Sequence, residues 1–314
     1  MESKYPLHPD FSDVKDSGKP VSSVLLFRLA NLYSRKTVKK LPVDTGRISE
    51  TFLKIPTCDG SEIDAIMYSP ANAACDERLP CVINYHGGAY VGAWLPHQKN
   101  YCLKFVENVG CRVLFVDYRL AIDHPFPTPM EDCYAALKWA FENSGRLGID
   151  PERIAVFGDS AGGTFAAAVC HLARDRGIRM PCFQMLIYPA LDNSFTSESM
   201  IKYTDTPELN CEGTKLAWKF YLKNGDCGMR GYAAPMFAED LSRLPPAYIE
   251  TAEFDSLHDD GVNYAAKLRG AGIAVELNET EGSYHGFDIR SDREYSKRML
   301  AYRCEVLKRV FYGE

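Results

Sequence analysis

The sequence lacks three features that would each define a class of protein: a basic excess, closely spaced cysteine pairs and a long apolar run. Its 36 Lys and Arg residues are outnumbered by 42 Asp and Glu residues, which gives a net charge of −6, and no run of Lys or Arg exceeds two residues. Nucleic-acid-binding proteins place clustered positive charge against phosphates, so this composition disfavours that class. We therefore expect no nucleic-acid partner.

The eleven cysteines show no metal-binding pattern. No two are closer than six residues, so no C-x-x-C motif supports a structural zinc site, and their number is odd. Several, such as Cys81 and Cys170, lie in apolar runs and are expected to be small buried side chains. Thiols in this number, without a pairing pattern, are typical of proteins in a reducing cytosol.

Long apolar runs are also missing. None approaches the roughly 20 residues that a membrane-spanning helix needs. The first residues, MESKYPLHPDF, lack the basic start and apolar stretch of a signal peptide. Together with the cysteine usage, these absences predict a cytoplasmic chain with no stable membrane association.

What the sequence does contain is an alternation of strand and helix patterns over 314 residues, enough for one large domain. Apolar runs predict eight strands: Ile48–Ile55, Ile63–Ser69, Cys81–Tyr85, Arg112–Asp117, Ile154–Gly158, Phe183–Tyr188, Ala247–Thr251 and Ile273–Leu277. Helical patterns lie between or after them, at Met130–Ser144, Ala161–Asp175, Asp259–Ala271 and Ser291–Tyr312. The alternation favours an α/β fold with a mostly parallel sheet. The first two runs, joined by the turn PTCDG, predict an antiparallel hairpin at one edge.

Two regions fall outside this alternation and predict a small cap over the sheet. Residues 1–45 contain a helical apolar stripe, which we expect to pack on the protein's own body, since Arg28 alone makes a poor membrane-binding face. The stripe consists of Val21, Val24, Leu25, Leu29 and Leu32. Residues 192–232 are polar at first and then helical at Glu212–Lys223. The predicted division is a cap segment, 1–45, and a main domain, 46–314, which includes a second cap segment at 192–232.

The strongest chemical signal is a G-x-S-x-G motif, Gly158-Asp159-Ser160-Ala161-Gly162. The apolar run IAVFG ends in this motif, and the helical pattern AGGTFAAAVCHLARD begins in it. Ser160 is therefore predicted on a tight turn between a strand and a helix. Such a turn exposes the serine hydroxyl and leaves the N–H groups of the helix start free for an anion. We infer a nucleophilic serine; the alternative is a structural turn before a helix.

A second glycine turn, His86-Gly87-Gly88-Ala89-Tyr90, directly follows the predicted strand CVINY. Paired glycines let the backbone point its N–H groups at a developing oxyanion. This turn follows the third predicted strand, and the G-x-S-x-G motif follows the fifth. The pairing of the two turns favours acyl-transfer chemistry over two unrelated turns.

A nucleophilic serine needs a base and an acid that orients the base, in the chain order Ser, Asp or Glu, His. Only His285, in the loop EGSYHGF, follows both Ser160 and the last predicted strand. Asp255 lies just past a strand end, where the loops of a parallel sheet that carry function gather. It would hold one tautomer of His285 and stabilise the imidazolium. Glu253 stays open as the alternative acid, whereas Asp259 is expected to be a helix-start charge.

These motifs together resemble the hormone-sensitive-lipase family of α/β-hydrolases, the bacterial family IV esterases. The matching segments run in family order from about residue 75 to 290: YHGGAY, DYRLAIDHPFPTPMEDCYAALKW, VFGDSAGG, LPPAYIETAEFDSLHDDGVNYAAKLRGAGI and YHGF. The resemblance implies an α/β-hydrolase fold, with a mostly parallel eight-stranded sheet, flanking helices and a small helical cap. It also implies a serine carboxylesterase that needs no organic cofactor and no metal.

The resemblance also implies the roles of single residues. The catalytic triad is Ser160, Asp255 and His285. The oxyanion donors are the backbone N–H groups of Gly87, Gly88 and Ala161. Asp159 fits the family's preference for aspartate before the serine. Where the family often has a third glycine, this chain has Ala89, which keeps its N–H and which we expect to lie behind the donors.

The expected substrate is a small ester. Bulky side chains in the cap segments, with Tyr90 and Trp94 beside the glycine turn, predict a small closed acyl pocket. Those of the cap segments are Phe27, Tyr33, Phe195, Tyr203 and Trp218. The predicted substrate-binding residues are Tyr90, Trp94, Asp159 and Tyr188. We expect acetyl to butyryl esters to be the best substrates, because a longer chain finds no further apolar wall.

Several alternatives stay open. An amidase or peptidase of the same fold uses the same triad and differs in leaving-group protonation and pocket shape. A non-catalytic ligand-binding protein, in the way that plant gibberellin receptors resemble this family, is disfavoured by the intact Ser160 and His285. A homodimer is possible, since the predicted edge strand Ile273–Leu277 can pair with a second copy.

Overall fold

The computed structural model describes residues 3–74 and 77–313, and an eight-stranded sheet forms its centre. Residues 1, 2, 75, 76 and 314, which belong to the predicted ranges 1–45 and 46–314, lie outside the described residues. The strands are β1 (Ile48–Pro56), β2 (Glu62–Pro70), β3 (Leu79–Tyr85), β4 (Arg112–Asp117), β5 (Ile149–Asp159), β6 (Phe183–Ile187), β7 (Ala247–Phe254) and β8 (Val275–Tyr284). Their spatial order is β1-β2-β4-β3-β5-β6-β7-β8.

The pairing of the strands confirms the predicted mostly parallel sheet. Strand β1 pairs antiparallel with β2, and β2 pairs antiparallel with β4. All further pairs, from β4 across to β8, are parallel. The predicted hairpin therefore lies at one edge and β8 at the other. Strands β3, β4 and β6, and β5 from Ile154 onward, are buried almost throughout because they are apolar on both faces, as strands covered by helices are.

Ten α-helices are present in the described part of the chain. They are α1 (Val24–Lys39), α2 (Pro96–Val109), α3 (Thr128–Glu142), α4 (Ser144–Leu147), α5 (Ala161–Asp175), α6 (Glu198–Lys202), α7 (Cys211–Tyr221), α8 (Arg230–Ala233), α9 (His258–Gly270) and α10 (Glu294–Tyr312). Helix α2 is not among the predicted helices. Its signals are Pro96 at the first helical position and Gly110, which ends the helix in the left-handed conformation.

Helix α1 is attached to the body by polar side chains, which contradicts the predicted packing. Asn31 donates from Nδ2 to Val91 O and accepts from Ala93 N, both at 2.8 Å, and Arg35 forms a 2.8 Å ion pair with Asp117. The side chains of the predicted stripe are instead exposed: Val21, Val24, Leu25, Leu29 and Leu32. The prediction that this stripe packs on the body is therefore wrong. Helical periodicity shows which residues share a face, but not which face the body covers.

The N-terminal segment contacts the segment 192–232, which carries α6, α7 and the start of α8. The rings of Phe27 and Phe220 meet edge to face with centroids 6.1 Å apart. Asn210 donates from Nδ2 to Gly18 O at 3.0 Å. The division of the chain into a cap and a main domain stays a prediction, but the two segments predicted to form the cap touch each other.

Candidate active site

Ser160 occupies the sharp turn between β5 and α5. Its backbone lies at φ 54° and ψ −120°, which a non-glycine residue rarely adopts, and its N–H donates to Ile187 O at 2.9 Å. Both flanking glycines are required by close packing. A Cβ on Gly158 would lie 2.1 Å from the carbonyl oxygen of Gly162, and one on Gly162 would lie 1.9 Å from that of Tyr85. The turn therefore holds Ser160 in a strained conformation with its hydroxyl at the carboxyl end of the sheet.

The hydroxyl of Ser160 begins a hydrogen-bonded chain of three side chains. Its Oγ lies 2.8 Å from Nε2 of His285, and Nδ1 of His285 lies 2.7 Å from Oδ2 of Asp255. Asp255 directly follows β7 and His285 directly follows β8, so neighbouring strands bring them together. Because the carboxylate accepts from Nδ1–H, Nε2 is left to accept from the serine hydroxyl. The arrangement can move a proton from Oγ to the imidazole.

The other acidic candidates do not reach His285. Glu253 accepts from Gly282 N at 2.7 Å through Oε2 and so contacts β8 three residues before His285. Asp259, in the first turn of α9, accepts from Ser199 N at 2.8 Å. Asp255 is fully buried, and its second oxygen accepts from Leu257 N at 2.9 Å. The structure thus brings Asp255 to the imidazole, and neither Glu253 nor Asp259.

Three backbone N–H groups beside Ser160 are unpaired. Those of Gly88, Ala89 and Ala161 donate to no acceptor in the described part of the chain, and all three residues line the same cleft. Gly87 differs, since its N–H donates to Oδ1 of Asp159 at 3.0 Å and it does not line the cleft. The prediction for Gly87 is therefore corrected: its N–H is already bound. Ala89 was expected behind the donors, but it lines the cleft with an unpaired N–H and replaces Gly87 as a candidate donor.

Two other histidines near the cleft, His86 and His97, are packed side chains and not candidates for proton transfer. His86 stacks on Tyr118 with centroids 4.3 Å apart, and His97 lines the cleft. Burial lowers the pKa of both imidazoles to about 4. Both rings are therefore neutral at neutral pH, and neither contacts Ser160.

The cleft above Ser160 holds about 740 Å³ of empty space, including its open mouth. Its walls are largely apolar and come from the glycine turn, from α7 and from the loops after β6 and β8. The main contributors are Tyr90, Tyr188, Leu209, Ala217, Trp218 and Ile289. The ring of Tyr90 stacks on Tyr221 at 4.2 Å and its hydroxyl lies 2.8 Å from Thr164 Oγ1, which holds this wall rigidly.

Trp94 is not part of these walls, which corrects its predicted role. The side chain is fully buried, and its ring lies 4.6 Å from that of Phe115 in the core. Of the bulky side chains expected over the site, Trp218 lines the cleft and Phe27 lines a second compartment beside it. Tyr33 is 72% exposed and points away from both.

Asp159 and Tyr188 line the cleft below the reacting groups. Asp159 accepts from Gly87 N and, at 2.7 Å, from Nε2 of Gln98. Burial raises the pKa of Asp159 to about 6, although these two hydrogen bonds oppose the rise. The ring of Tyr188 meets that of His285 edge to face at 4.8 Å. Asp159 therefore contacts the glycine turn and Tyr188 contacts the ring of His285.

A buried ion-pair network that the sequence patterns did not indicate lies behind Tyr188. Its hydroxyl donates to Asp288 at 2.6 Å, and Asp288 forms a 2.7 Å ion pair with Arg303 of α10, which also pairs with Glu250 of β7. Burial is the largest single influence on Asp288 and would raise its pKa, but the charge of Arg303 and the hydrogen bonds of Tyr101 and Tyr188, with further contacts, together hold that pKa below its usual value. The network connects α10 to the loop that carries His285.

The sequence and the fold are similar to those of known esterases. A family model described as the alpha/beta hydrolase fold matches residues 82–289. The esterase LipI of Mycobacterium tuberculosis is 37% identical over 224 residues, which cover 70% of this chain and 69% of that protein. An arylesterase of Saccharolobus solfataricus is 33% identical over 277 residues, covering 88% and 87%. Among solved structures, a bacterial heroin esterase matches with a TM-score of 0.86 and 32% identity over 98% of both chains.

The fold and the site define an α/β-hydrolase, as predicted. The family match spans well over half of the chain, and the relatives are named esterases or carboxylesterases. The chain therefore belongs to the hormone-sensitive-lipase family of α/β-hydrolases, and it is a carboxylic ester hydrolase. In the described part of the chain, no helix is both long enough and apolar enough to span a membrane.

Proposed function

We propose that this chain hydrolyses short-chain acyl esters, acetyl to butyryl, through a catalytic triad of Ser160, His285 and Asp255 and an acyl-enzyme intermediate. The observation that carries the proposal is the continuous hydrogen-bonded chain from Ser160 Oγ through both nitrogens of His285 to Asp255, next to three unpaired N–H groups. Nucleophile, base, orienting acid and oxyanion donors then meet at one end of one cleft.

The proposed reaction begins when Ser160 Oγ attacks the ester carbonyl carbon and its proton passes to Nε2 of His285. The negative oxygen of the tetrahedral intermediate is bound by the N–H groups of Gly88, Ala89 and Ala161. As the C–O bond to the alcohol breaks, His285 returns its proton to the leaving oxygen. Asp255 stabilises the imidazolium while it carries the charge.

The acyl group is then bound to Ser160 as an ester and is released by water. A water molecule loses its proton to His285 and attacks the acyl carbon, and the second oxyanion is bound by the same N–H groups. Collapse of this intermediate breaks the bond to Oγ, which takes the proton back from His285. The free carboxylic acid leaves and the site returns to its starting state.

The proposed limit on acyl length rests on the walls of the cleft. Trp218 lies against Tyr90 and Tyr221, with ring centroids 5.2 and 5.8 Å away, and closes the side formed by α7. A chain of two to four carbons buries its methylenes against such a wall, at about 0.8 kcal/mol each. A longer chain meets packed aromatic rings. In this proposal residues 1–45 and 192–232 act as the cap.

The test is ester turnover in matched variants, with a water-soluble chromogenic ester such as p-nitrophenyl butyrate. Ser160→Ala should lower kcat by about 10⁶. Asp255→Asn should lower it by about 10⁴, because the imidazole loses its tautomer control. Asp259→Asn is the control, since it removes a carboxylate four residues away that does not reach His285. Equal and mild losses in both aspartate variants would contradict the proposed acid.

A further inference from the structure

The exposed apolar side chains of this protein are concentrated on one segment. Of the thirteen large apolar side chains that are exposed in the described residues, eight lie within 21–41. Five of them share the outward face of α1, opposite the face that holds Asn31 and Val38: Leu25, Leu26, Leu29, Leu32 and Tyr33. These five are 55–72% exposed. A contiguous patch of this kind is usually a binding surface, since single exposed apolar residues scatter.

The same segment is the most positively charged part of an acidic protein. Residues 17–43 contain six Lys or Arg residues and no Asp or Glu, while the chain as a whole carries −6. Three of the six pair with the body, Arg28, Arg35 and Lys39. Lys36 and Lys40 continue the outward face and are exposed, and no acidic side chain of the described residues pairs with either.

We propose that the outward face of α1, from Leu25 to Lys40, docks the protein on an anionic lipid surface. An apolar face next to unpaired lysines is the pattern of a helix that lies in the lipid interface. With 16 residues, α1 is about 24 Å long, shorter than the roughly 30 Å core of a bilayer, so it lies along the surface and does not cross it. The inference revises the expectation of no stable membrane association.

Charge also favours a lipid surface over a second copy of this chain. Two copies packed through their α1 faces would bring two acid-free, basic segments together, and the unpaired lysines would repel each other. Anionic headgroups instead attract each exposed Lys, and the leucines enter the acyl boundary. The polar attachment of Asn31 and Arg35 to the body holds the leucines outward, ready for such a surface.

The inward side of α1 and the residues before the helix adjoin the cleft. Val21 and Phe27 line a second compartment, about 810 Å³ including its open mouth, which shares Ala89, Leu209 and Ala217 with the cleft above Ser160. Docking through α1 would therefore hold that compartment close to the lipid. Delivery of an ester from the surface into the cleft rests on the proposed function, whereas the docking itself does not.

The test is sedimentation of the full chain with vesicles of equimolar phosphatidylglycerol and phosphatidylcholine, compared with phosphatidylcholine alone. We expect binding to the anionic vesicles that weakens as salt is added. The triple variant Leu25→Ser, Leu29→Ser, Leu32→Ser and the double variant Lys36→Glu, Lys40→Glu should each weaken it by at least about tenfold. All five side chains are exposed and none lines the cleft, so turnover of a water-soluble ester should be unchanged.

The control variant Phe52→Ser, Ile201→Ser removes two equally exposed apolar side chains outside α1, and its vesicle binding should match that of the unaltered protein. Absence of binding, equal binding to uncharged vesicles, or binding unaffected by the α1 variants would each overturn the proposal. A dimer that the leucine variant converts to a monomer would assign the face to a second copy instead. The Ser160→Ala variant should sediment normally, which separates this proposal from the proposed function.

Discussion

Ala89 holds a backbone conformation that an alanine rarely adopts. Its φ is 54°, in the left-handed region that costs an L-residue roughly 1–2 kcal/mol. Ala89→Gly removes this strain and keeps the N–H at the cleft. We expect it to leave kcat within a few-fold and to keep or raise the free energy of unfolding, because only the methyl group is lost.

Gly88→Ala is the contrasting change in the same turn. A Cβ at position 88, where φ is 124°, would lie 2.4 Å from the carbonyl oxygen of Gly92. The turn must shift and take its N–H away from the oxyanion, so kcat should fall by about 10²–10³, as for loss of one oxyanion donor. Both variants are to be compared in ester turnover and in circular dichroism. A larger loss in Ala89→Gly than in Gly88→Ala would contradict this assignment of donors.

Asp159 should make stability depend on pH in a definite direction. Its pKa is about 6 in the folded protein and 3.8 when unperturbed. The folded state therefore binds its proton more tightly, and the contribution to stability is present below 3.8 and lost as the pH rises through about 6. Relative to Asp159→Asn, the free energy of unfolding should fall by about 3 kcal/mol across that window, since one pKa unit is about 1.4 kcal/mol.

Urea unfolding of the two proteins at a series of pH values measures this difference. The contributions of all other titrating groups to the pH dependence cancel in the difference, because both proteins contain them. A difference that grows as the pH rises would mean that the hydrogen bonds from Gly87 and Gln98 outweigh the burial of the carboxylate. The charged form would then be the one that the fold stabilises.

At the scale of elements, α10 is joined to the sheet and to the His285 loop by one buried guanidinium. Arg303 is fully buried between Glu250 and Asp288. Arg303→Met leaves both carboxylates without their cation, so the free energy of unfolding should fall by about 3–5 kcal/mol. Arg309→Met is the matched control on the same helix. Its side chain and that of its partner Glu276 are 48% and 39% exposed, so water screens the pair and the loss should be about 1 kcal/mol or less.

Chemical denaturation of these two variants supplies the measurement. Equal losses of unfolding free energy in the two variants would mean that the Arg303 network stabilises the protein no more than a surface ion pair does. The network also predicts a secondary effect on the reaction, because Tyr188 lies between Asp288 and the ring of His285. Turnover should therefore fall in Arg303→Met and stay unchanged in Arg309→Met at temperatures where both are folded.

Sequence patterns predicted the strands well where burial is two-sided. Strand β4 has the predicted bounds, since every residue between its ends is apolar. The pattern was poorer for β8, predicted at Ile273–Leu277 and observed at Val275–Tyr284. This edge strand continues through polar residues, and Thr280 is held by a hydrogen bond to Thr251 O. An edge strand pairs on one side only, so its residues need not all be apolar and its bounds are harder to predict from an apolar run.

The site shows the same limit. Ser160, Asp255 and His285 were predictable because each directly follows a strand, and chain order with parallel pairing brings strand ends together. Gly87 was expected to be a donor and Ala89 to lie behind the donors, and the structure reverses the two because Gly87 N–H donates to the side chain of Asp159, 72 residues away. Local patterns do not record such contacts, and they also do not show which face of a helix the body covers.

At the scale of the whole molecule, the cleft lies between the sheet and the segment 192–232, and Trp218 is the side chain that closes it. Trp218→Ala should open this wall and move the best acyl chain from butyryl toward hexanoyl or octanoyl. Each added methylene that meets apolar wall should raise kcat/KM about fourfold, since its burial is worth about 0.8 kcal/mol. The measurement is kcat/KM over a series of p-nitrophenyl esters.

Trp94→Ala is the control for this change, because Trp94 is equally buried but lies outside the cleft. Both variants should lose about 3–5 kcal/mol of stability, as large-to-small core changes do. Only Trp218→Ala should change the order of the substrates. The same change of acyl preference in both variants would show that a general loss of packing sets the preference, and not the wall at Trp218.

In the proposed function, Ser160 carries the acyl group during ester hydrolysis. The most direct test of this role is the mass of the intact protein after reaction with an organophosphate ester, followed by peptide mapping. We expect a single adduct on Ser160, complete loss of esterase activity in step with labelling, and no adduct in Ser160→Ala. An adduct on another residue, or full activity in the labelled protein, would contradict it.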